Sequence, residues 1–312
     1  MSDKPKEPGL LQVIRASFLS SIIAPIWAGT LLAVSISGNF NLLPFLIVTL
    51  MGLALHTATN VYNDIYDTKQ GTDRVNRHRN EFSGGSGLII QNPHILPKMY
   101  RIARISLLIA LLCTVALMFF VRQELWIHLW LLYLLSAFFS KYYTAEPVKL
   151  ASRGLGEVSV WFAFGPMAIL VAAVSQNVGL HPLVVLAMPA TGISTLSILL
   201  VGQLIDRPAD REGGKWGVAV RLGSRFTAYL YLLVQLLLVA DILLLALNIG
   251  RSGGWILLCL LPYVLLFPKT VGLLMKNHDH PAKLKQAAKL NVQIHMLFSI
   301  LLVLGLLVMV VL

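Results

Sequence analysis

The chain has 312 residues, of which 57% are hydrophobic and 12% charged, with a mean hydropathy of +0.76 and a formal net charge of +11. A water-soluble domain carries roughly 25% charged residues, so this composition excludes a soluble globular enzyme and predicts a multi-span membrane protein. The positive charge is read as a signal of membrane orientation rather than as a nucleic-acid surface, because Lys and Arg mark the loops that stay in the cytoplasm.

In chain order, the apolar runs predict nine spanning helices at roughly 17–37, 42–62, 101–121, 126–143, 155–175, 183–204, 226–248, 254–275 and 289–312, each near the ~20 residues that cross a bilayer. The runs lack period-two alternation, which argues for an all-α bundle and against a barrel. The opening Met-Ser-Asp-Lys-Pro-Lys-Glu-Pro has no cleavage pattern, so the first run is expected to remain as an anchor. No linker or low-complexity stretch divides the chain, and one domain over 1–312 is expected. Cys113 and Cys259 lie inside apolar runs and are expected to be core residues, not a disulfide.

The basic residues sort sharply between the ends of these spans. Lys4, Lys6 and Arg15 precede the first. Seven, from Lys69 and Arg77 to Arg104, lie between the second and third; Lys141, Lys149 and Arg153 follow the fourth. Arg207, Arg211, Lys215, Arg221 and Arg225 follow the sixth, and five lysines from Lys269 to Lys289 follow the eighth. Only Arg122 and Arg251 fall on the other side, a split of 23 to 2 among the 25 Lys and Arg. The N-terminus and four loops are therefore expected in the cytoplasm, with the chain in the inner or plasma membrane.

Against this acid-poor background, Asn60, Asp64 and Asp67 end the second span, spaced i, i+4, i+7 on one helical face. Gln203, Asp206 and Asp210, spaced i, i+3, i+7, end the sixth. Both stripes fall on the cytoplasmic side. Acid at a membrane boundary is costly, and a bound cation is the usual reason to keep it. Two facing oxygen-rich stripes suit a diphosphate held through Mg²⁺, which prefers a few carboxylates plus substrate oxygens. The plainer alternatives are a solubilising helix end for the first stripe and an ordinary polar loop for the second. Asp73, after Gly71, reads equally as a helix cap. Glycine-rich cytoplasmic stretches, Phe82-Ser-Gly-Gly-Ser-Gly87 among them, permit close backbone approach. Arg77, Lys141, Lys149, Arg153, Lys215 and Arg221 are candidate phosphate contacts, although topology alone accounts for such residues. Tyr62, Tyr66, Tyr142, Tyr143, Trp161 and Phe164 are candidate π faces for a cation, with belt or packing roles as the alternative. His56 lies one turn before Asn60, and is read as an acceptor seat or as a hydrogen-bonded interior histidine. Asn291 with His295, and Asp241, are read as packed polar contacts.

Taken together, these residues resemble the UbiA superfamily of intramembrane prenyltransferases, over nearly the whole chain. The first motif of that family, Asn-x-x-x-Asp followed by another Asp, is similar to Asn60, Asp64 and Asp67. Within it the chain is most similar to 1,4-dihydroxy-2-naphthoate polyprenyltransferases of menaquinone synthesis, on Asn63-Asp64-Ile-Tyr-Asp67 with Gly71-Thr-Asp73, Tyr143-Thr-Ala-Glu-Pro147, Arg153-Gly-Leu-Gly-Glu157, Phe164-Gly165-Pro166, Gly214-Lys215 and Ala219-Val-Arg221-Leu-Gly223. It departs where Thr68 holds the place of the family's second Asp and Gln203 that of the usual Asn.

The resemblance implies nine helices with two Asp-rich cytoplasmic loops. It implies catalytic and metal-binding roles for Asp64, Asp67, Asp206 and Asp210 with Asn60, and Mg²⁺ as cofactor. A polyprenyl diphosphate donor would be neutralised by Arg153, Lys215 and Arg221, and its group passed to an aromatic acceptor with loss of diphosphate and CO₂. Other acceptors, 4-hydroxybenzoate, homogentisate or a chlorophyll precursor, stay open, as does an ion-coupled transporter. The transporter would need polar residues through to the far face, where the spans are almost wholly apolar.

Overall fold

The structure, a computed structural model, describes residues 8–312; Lys4 and Lys6 of the charge argument lie outside the described residues. Among those described there is no strand, and eight helices are long and apolar enough to cross a membrane. They are α1 (Ala16–Ser37), α2 (Leu42–Gln70), α3 (Pro93–Met118), α4 (Gln123–Tyr142), α5 (Gly156–Ser175), α6 (Pro182–Glu212), α7 (Ser224–Ile249) and, after α8, α9 (Lys285–Val311). The ninth candidate span, α8, is a pair, Arg251–Leu265 and Phe267–Asn277, bent by 40°. Pro268 explains the bend: it supplies no N–H, and its ring crowds the carbonyl four residues back.

The largest departure from the expected spans is at the site end of α2 and α6, which run on to Gln70 and Glu212 instead of stopping near residues 62 and 204. Hydropathy fades where the bilayer ends, but a helix needs only its backbone ladder and a packed face. Gly71, at φ +90°, ends α2 by turning its N–H onto Thr68 O. Both acidic stripes therefore stand on continuous helix, the second as well as the first.

Helix α2 packs on α3, α6 on α7 and α9, and α1 on α5 and α9. One core gathers Leu32, Leu200, Tyr231 and Phe298 from α1, α6, α7 and α9; another gathers Ile26, Met51, Leu117 and Leu129 from α1 to α4. Leu108, Leu112, Leu131, Leu233 and Leu237 keep about half their surface exposed, as lipid-facing residues do, since hydrocarbon is as apolar as Leu. Cys113 and Cys259 are buried and free.

A π-turn at Ala163–Met167 interrupts α5 around Pro166. There α5 and α6 touch through glycine: a Cβ on Gly165 would strike Met188 O, and one on Gly192 would strike Trp161 O. The turn brings Phe164 to the wall of the cavity described next.

Candidate active site

One cavity of about 290 Å³ lies between the two cores. Its wall descends one face of α2 through Asp67, Asn63, Asn60, Thr59, His56, Leu55 and Met51. That is about 24 Å of helix at 1.5 Å per residue, polar above and apolar below. Helix α6 supplies Asp210, Asp206, Gln203, Leu199 and Thr195. The two stripes thus face each other across one space.

Three acids are tied together by one tripeptide. Gly84 N–H donates to Asp206 Oδ2 (3.0 Å), Gly85 N–H to Asp73 Oδ1 (3.1 Å) and Ser86 N–H to Asp64 Oδ1 (3.1 Å). Asp206 also accepts from Asn76 Nδ2 (2.8 Å) and Ser83 Oγ (2.6 Å). The fit demands glycine, because a Cβ at Gly85 would land on the Asp73 carboxylate, while Gly84 sits at φ +82°.

Lys215 Nζ reaches Asp67 Oδ2 at 2.9 Å. Burial opposes its charge, but Asp67 and Asp210 hold the ammonium well above the usual lysine value. Burial, with Asp67 and Asp64 nearby, pushes the Asp73 carboxyl up to about 7 against the pull of Arg79 and Lys215. Such crowding of carboxylates calls for cationic charge.

Asp64 Oδ2 and Asp67 Oδ1 are fully buried without a partner. Hard oxygen donors of this kind suit Mg²⁺. Among the described residues no three His, Cys, Asp or Glu side chains converge on one metal position, so a metal here needs further oxygens, such as those of a diphosphate.

Of the residues expected from sequence, the cavity wall gathers Asn60, Asp67, Asp206, Asp210, Gln203, Lys215 and Tyr143. Asp64 lies one layer behind, 1% exposed, with Arg15 at 3.5 Å. Gln203 reaches the wall but its amide is engaged, donating to Glu157 Oε1 (2.6 Å) and accepting from Ala219 N–H (3.3 Å), so it braces the turn at 217–219. The remaining basic candidates stay off the wall. Arg77 is exposed, and Lys141 stacks 5.0 Å over the Tyr142 ring. Lys149 pairs with Glu146 at 2.7 Å, Arg153 donates to Pro147 O, and Arg221 packs over Gly154 and donates to Trp216 O. Arg153 and Arg221 thus engage carbonyls of their own loops and do not stand beside Lys215 on the wall. Of the aromatic candidates, Tyr143 and Phe164 line the cavity, whereas Tyr66 packs against Tyr62 and against Tyr100.

The structure adds Arg15, Asn63 and the stretch Ser83–Gly85 to the wall, and places Asp73 there too. Arg15 arrives because Asn60 Nδ2 binds Ile14 O (3.2 Å), fastening the entry of α1 to α2. Nothing in the local sequence of Arg15 signals this contact, whereas Asn63 could have been found on the face of the first stripe, between Asn60 and Asp67.

The profile of the UbiA prenyltransferase family matches residues 22–297. The chain belongs to the UbiA prenyltransferase family. It is 25% identical over 301 residues to the 2-carboxy-1,4-naphthoquinone phytyltransferase of Synechocystis, covering 95% of this chain and 92% of the relative. It is 28% identical to the 1,4-dihydroxy-2-naphthoate octaprenyltransferase of Escherichia coli, covering 95% and 94%. A UbiA homologue from Archaeoglobus fulgidus, solved bound to GPP and Mg²⁺, shares the fold with a TM-score of 0.61 at 12% identity, covering 97% of this chain and 99% of that one. The protein is thus a membrane enzyme of the prenyltransferase class.

Proposed function

We propose that the protein transfers a polyprenyl group from polyprenyl diphosphate to 1,4-dihydroxy-2-naphthoate, releasing diphosphate and CO₂. The observation that carries this reading is the single cavity with Asp67, Asp206, Asp210 and Lys215 at its polar end and apolar and aromatic side chains below. The names of the cyanobacterial and bacterial relatives support a naphthoate acceptor. The ligands of the archaeal homologue support a prenyl diphosphate with Mg²⁺. The bias of basic residues supports a cytoplasmic site.

Asp67, Asp206, Asp210 and Asn60 on the wall, with Asp64 behind, are the residues that would hold Mg²⁺, which when bound makes diphosphate a better leaving group. Lys215 meets diphosphate oxygens with a charge that Asp67 and Asp210 keep in place. Ile22, Ile26, Met51 and Val171 exclude water from the allylic carbon below, and Tyr143, Phe139 and Phe164 offer π faces to the positive charge it develops. The electron-rich ring attacks that carbon and the ring carboxylate departs as CO₂. A cavity of about 290 Å³ is near the lower limit for ligand sites, so a long isoprenoid tail passes out between helices into lipid.

The test is diphosphate release by the purified protein in lipid nanodiscs. Release that requires Mg²⁺, a polyprenyl diphosphate and 1,4-dihydroxy-2-naphthoate together is expected. Release with 4-hydroxybenzoate or homogentisate but not the naphthoate would overturn the acceptor, and no release with any aromatic acceptor would overturn the reaction.

A further inference from the structure

His56 is 8% exposed and lies on the cavity wall, one turn of α2 below Asn60. Its ring stands edge-on to Phe164, with centroids 4.9 Å apart and planes at 77°. Nδ1 is fully enclosed and has no partner, so contact with a ligand falls to Nε2. Four other hydroxyls of the wall are satisfied by protein: Thr59 Oγ1 donates to Leu55 O (2.9 Å), Ser140 Oγ to Leu55 O (3.2 Å), Ser159 Oγ to Leu155 O (2.7 Å) and Thr195 Oγ1 to Thr191 O (3.2 Å). His295, away from the wall, has one ring nitrogen paired, Nδ1 at 2.9 Å from Ser194 Oγ, and one, Nε2, without a partner.

Among the wall residues, fully buried polar atoms without a partner belong to His56, Asp67 and Thr72. Asp67 and Thr72 stand at the acidic end. His56 stands about 16 Å further down the helix than Asp67 and about 6 Å below Asn60, at 1.5 Å per residue. Buried polar groups are nearly always paired, and here the expected interior hydrogen bond is missing. The height is that of a ring placed beneath a diphosphate held by the acids.

We propose that His56 is the acceptor contact of this site: its Nε2 hydrogen-bonds a ring hydroxyl of the aromatic acceptor. This rests on the transfer reaction proposed above. An uncharged imidazole takes a hydroxyl hydrogen without placing a charge among Leu55, Met51 and Phe164, where no water would solvate it.

The test removes the hydroxyl and the imidazole separately and together, in a cycle of equilibrium binding. Wild-type protein, His56→Ala and His56→Gln in nanodiscs are titrated with 1,4-dihydroxy-2-naphthoate and with 2-naphthoate, which lacks the hydroxyls. Binding of a non-hydrolysable prenyl diphosphate with Mg²⁺ checks that each variant keeps its fold. The expected result is about a tenfold loss for the dihydroxy ligand with His56→Ala, partial recovery with His56→Gln, and no loss for 2-naphthoate. Equal losses for both ligands, or none, overturn the assignment while leaving the reaction standing. If the wild type binds neither ring yet binds the prenyl diphosphate, the naphthoate acceptor falls and the assignment with it.

Discussion

Lys215 and Asp67, 148 positions apart in the chain, meet at 2.9 Å at the polar end of the cavity. The pair links the last turns of α2 to the turn that follows α6, and leaves an ammonium beside the acids where a diphosphate would arrive. Asp67 stands on the wall although Thr68 occupies the family's usual second position.

Replacing Lys215 by Ala removes a charge-assisted contact worth roughly 10- to 100-fold in binding. Lys215→Ala is expected to lower kcat/KM for the prenyl diphosphate by that factor, and Lys215→Arg by less. Steady-state kinetics with the donor varied check this, with the acceptor KM staying within about twofold as the control.

Asp67→Asn and Asp206→Asn each remove a carboxylate from the wall while preserving shape. Turnover is expected to fall at least about 100-fold in either variant, with the protein still inserted and helical by circular dichroism. Chelation with EDTA is expected to stop the wild type reversibly. Full activity in EDTA would refute the metal role.

Gly85 and Gly202 separate sterics from composition. A Cβ at Gly85 meets the Asp73 carboxylate, whereas one at Gly202 meets nothing nearer than Ser83 Oγ at 3.9 Å. Gly85→Ala is expected to cut turnover by about tenfold or more, while Gly202→Ala stays near wild type. Parallel assays of the two variants decide the point.

The basic residues divide by position. Arg153→Ala and Arg221→Ala, both off the wall and held by carbonyls of their own loops, are expected to stay within about twofold of wild-type turnover. Arg15→Ala, which bares Asp64, is expected to weaken donor binding about tenfold. Donor titrations of the three variants provide the comparison.

The acidic stripes were legible because aspartate is rare in this chain and helical spacing is unambiguous; the apolar runs likewise revealed the spans. The continuation of α6 through Pro208 was not legible, since polarity and proline mark a loop as well as a last helical turn. The basic residues resisted assignment for another reason. Orientation in the membrane demands them on one face whether or not they touch substrate, so only tertiary contacts distinguish Lys215 from Arg221. Asp73 illustrates the same limit: its position after Gly71 suggests a cap, and only the fold brings Gly85 N–H to its carboxylate.

The tripeptide Gly84–Gly85–Ser86 spans the gap between α2 and α6 with three consecutive amides, each on a different carboxylate. Two of the bonds hold the stretch to the α2 side, at Asp64 and Asp73, and one holds it to α6, at Asp206, so separation of the two helices breaks the Gly84 bond first. The Gly84 amide therefore acts as a gauge of helix spacing, and it is expected to exchange with solvent faster than those of Gly85 and Ser86. Deuterium uptake at these positions would report how often the mouth of the cavity opens.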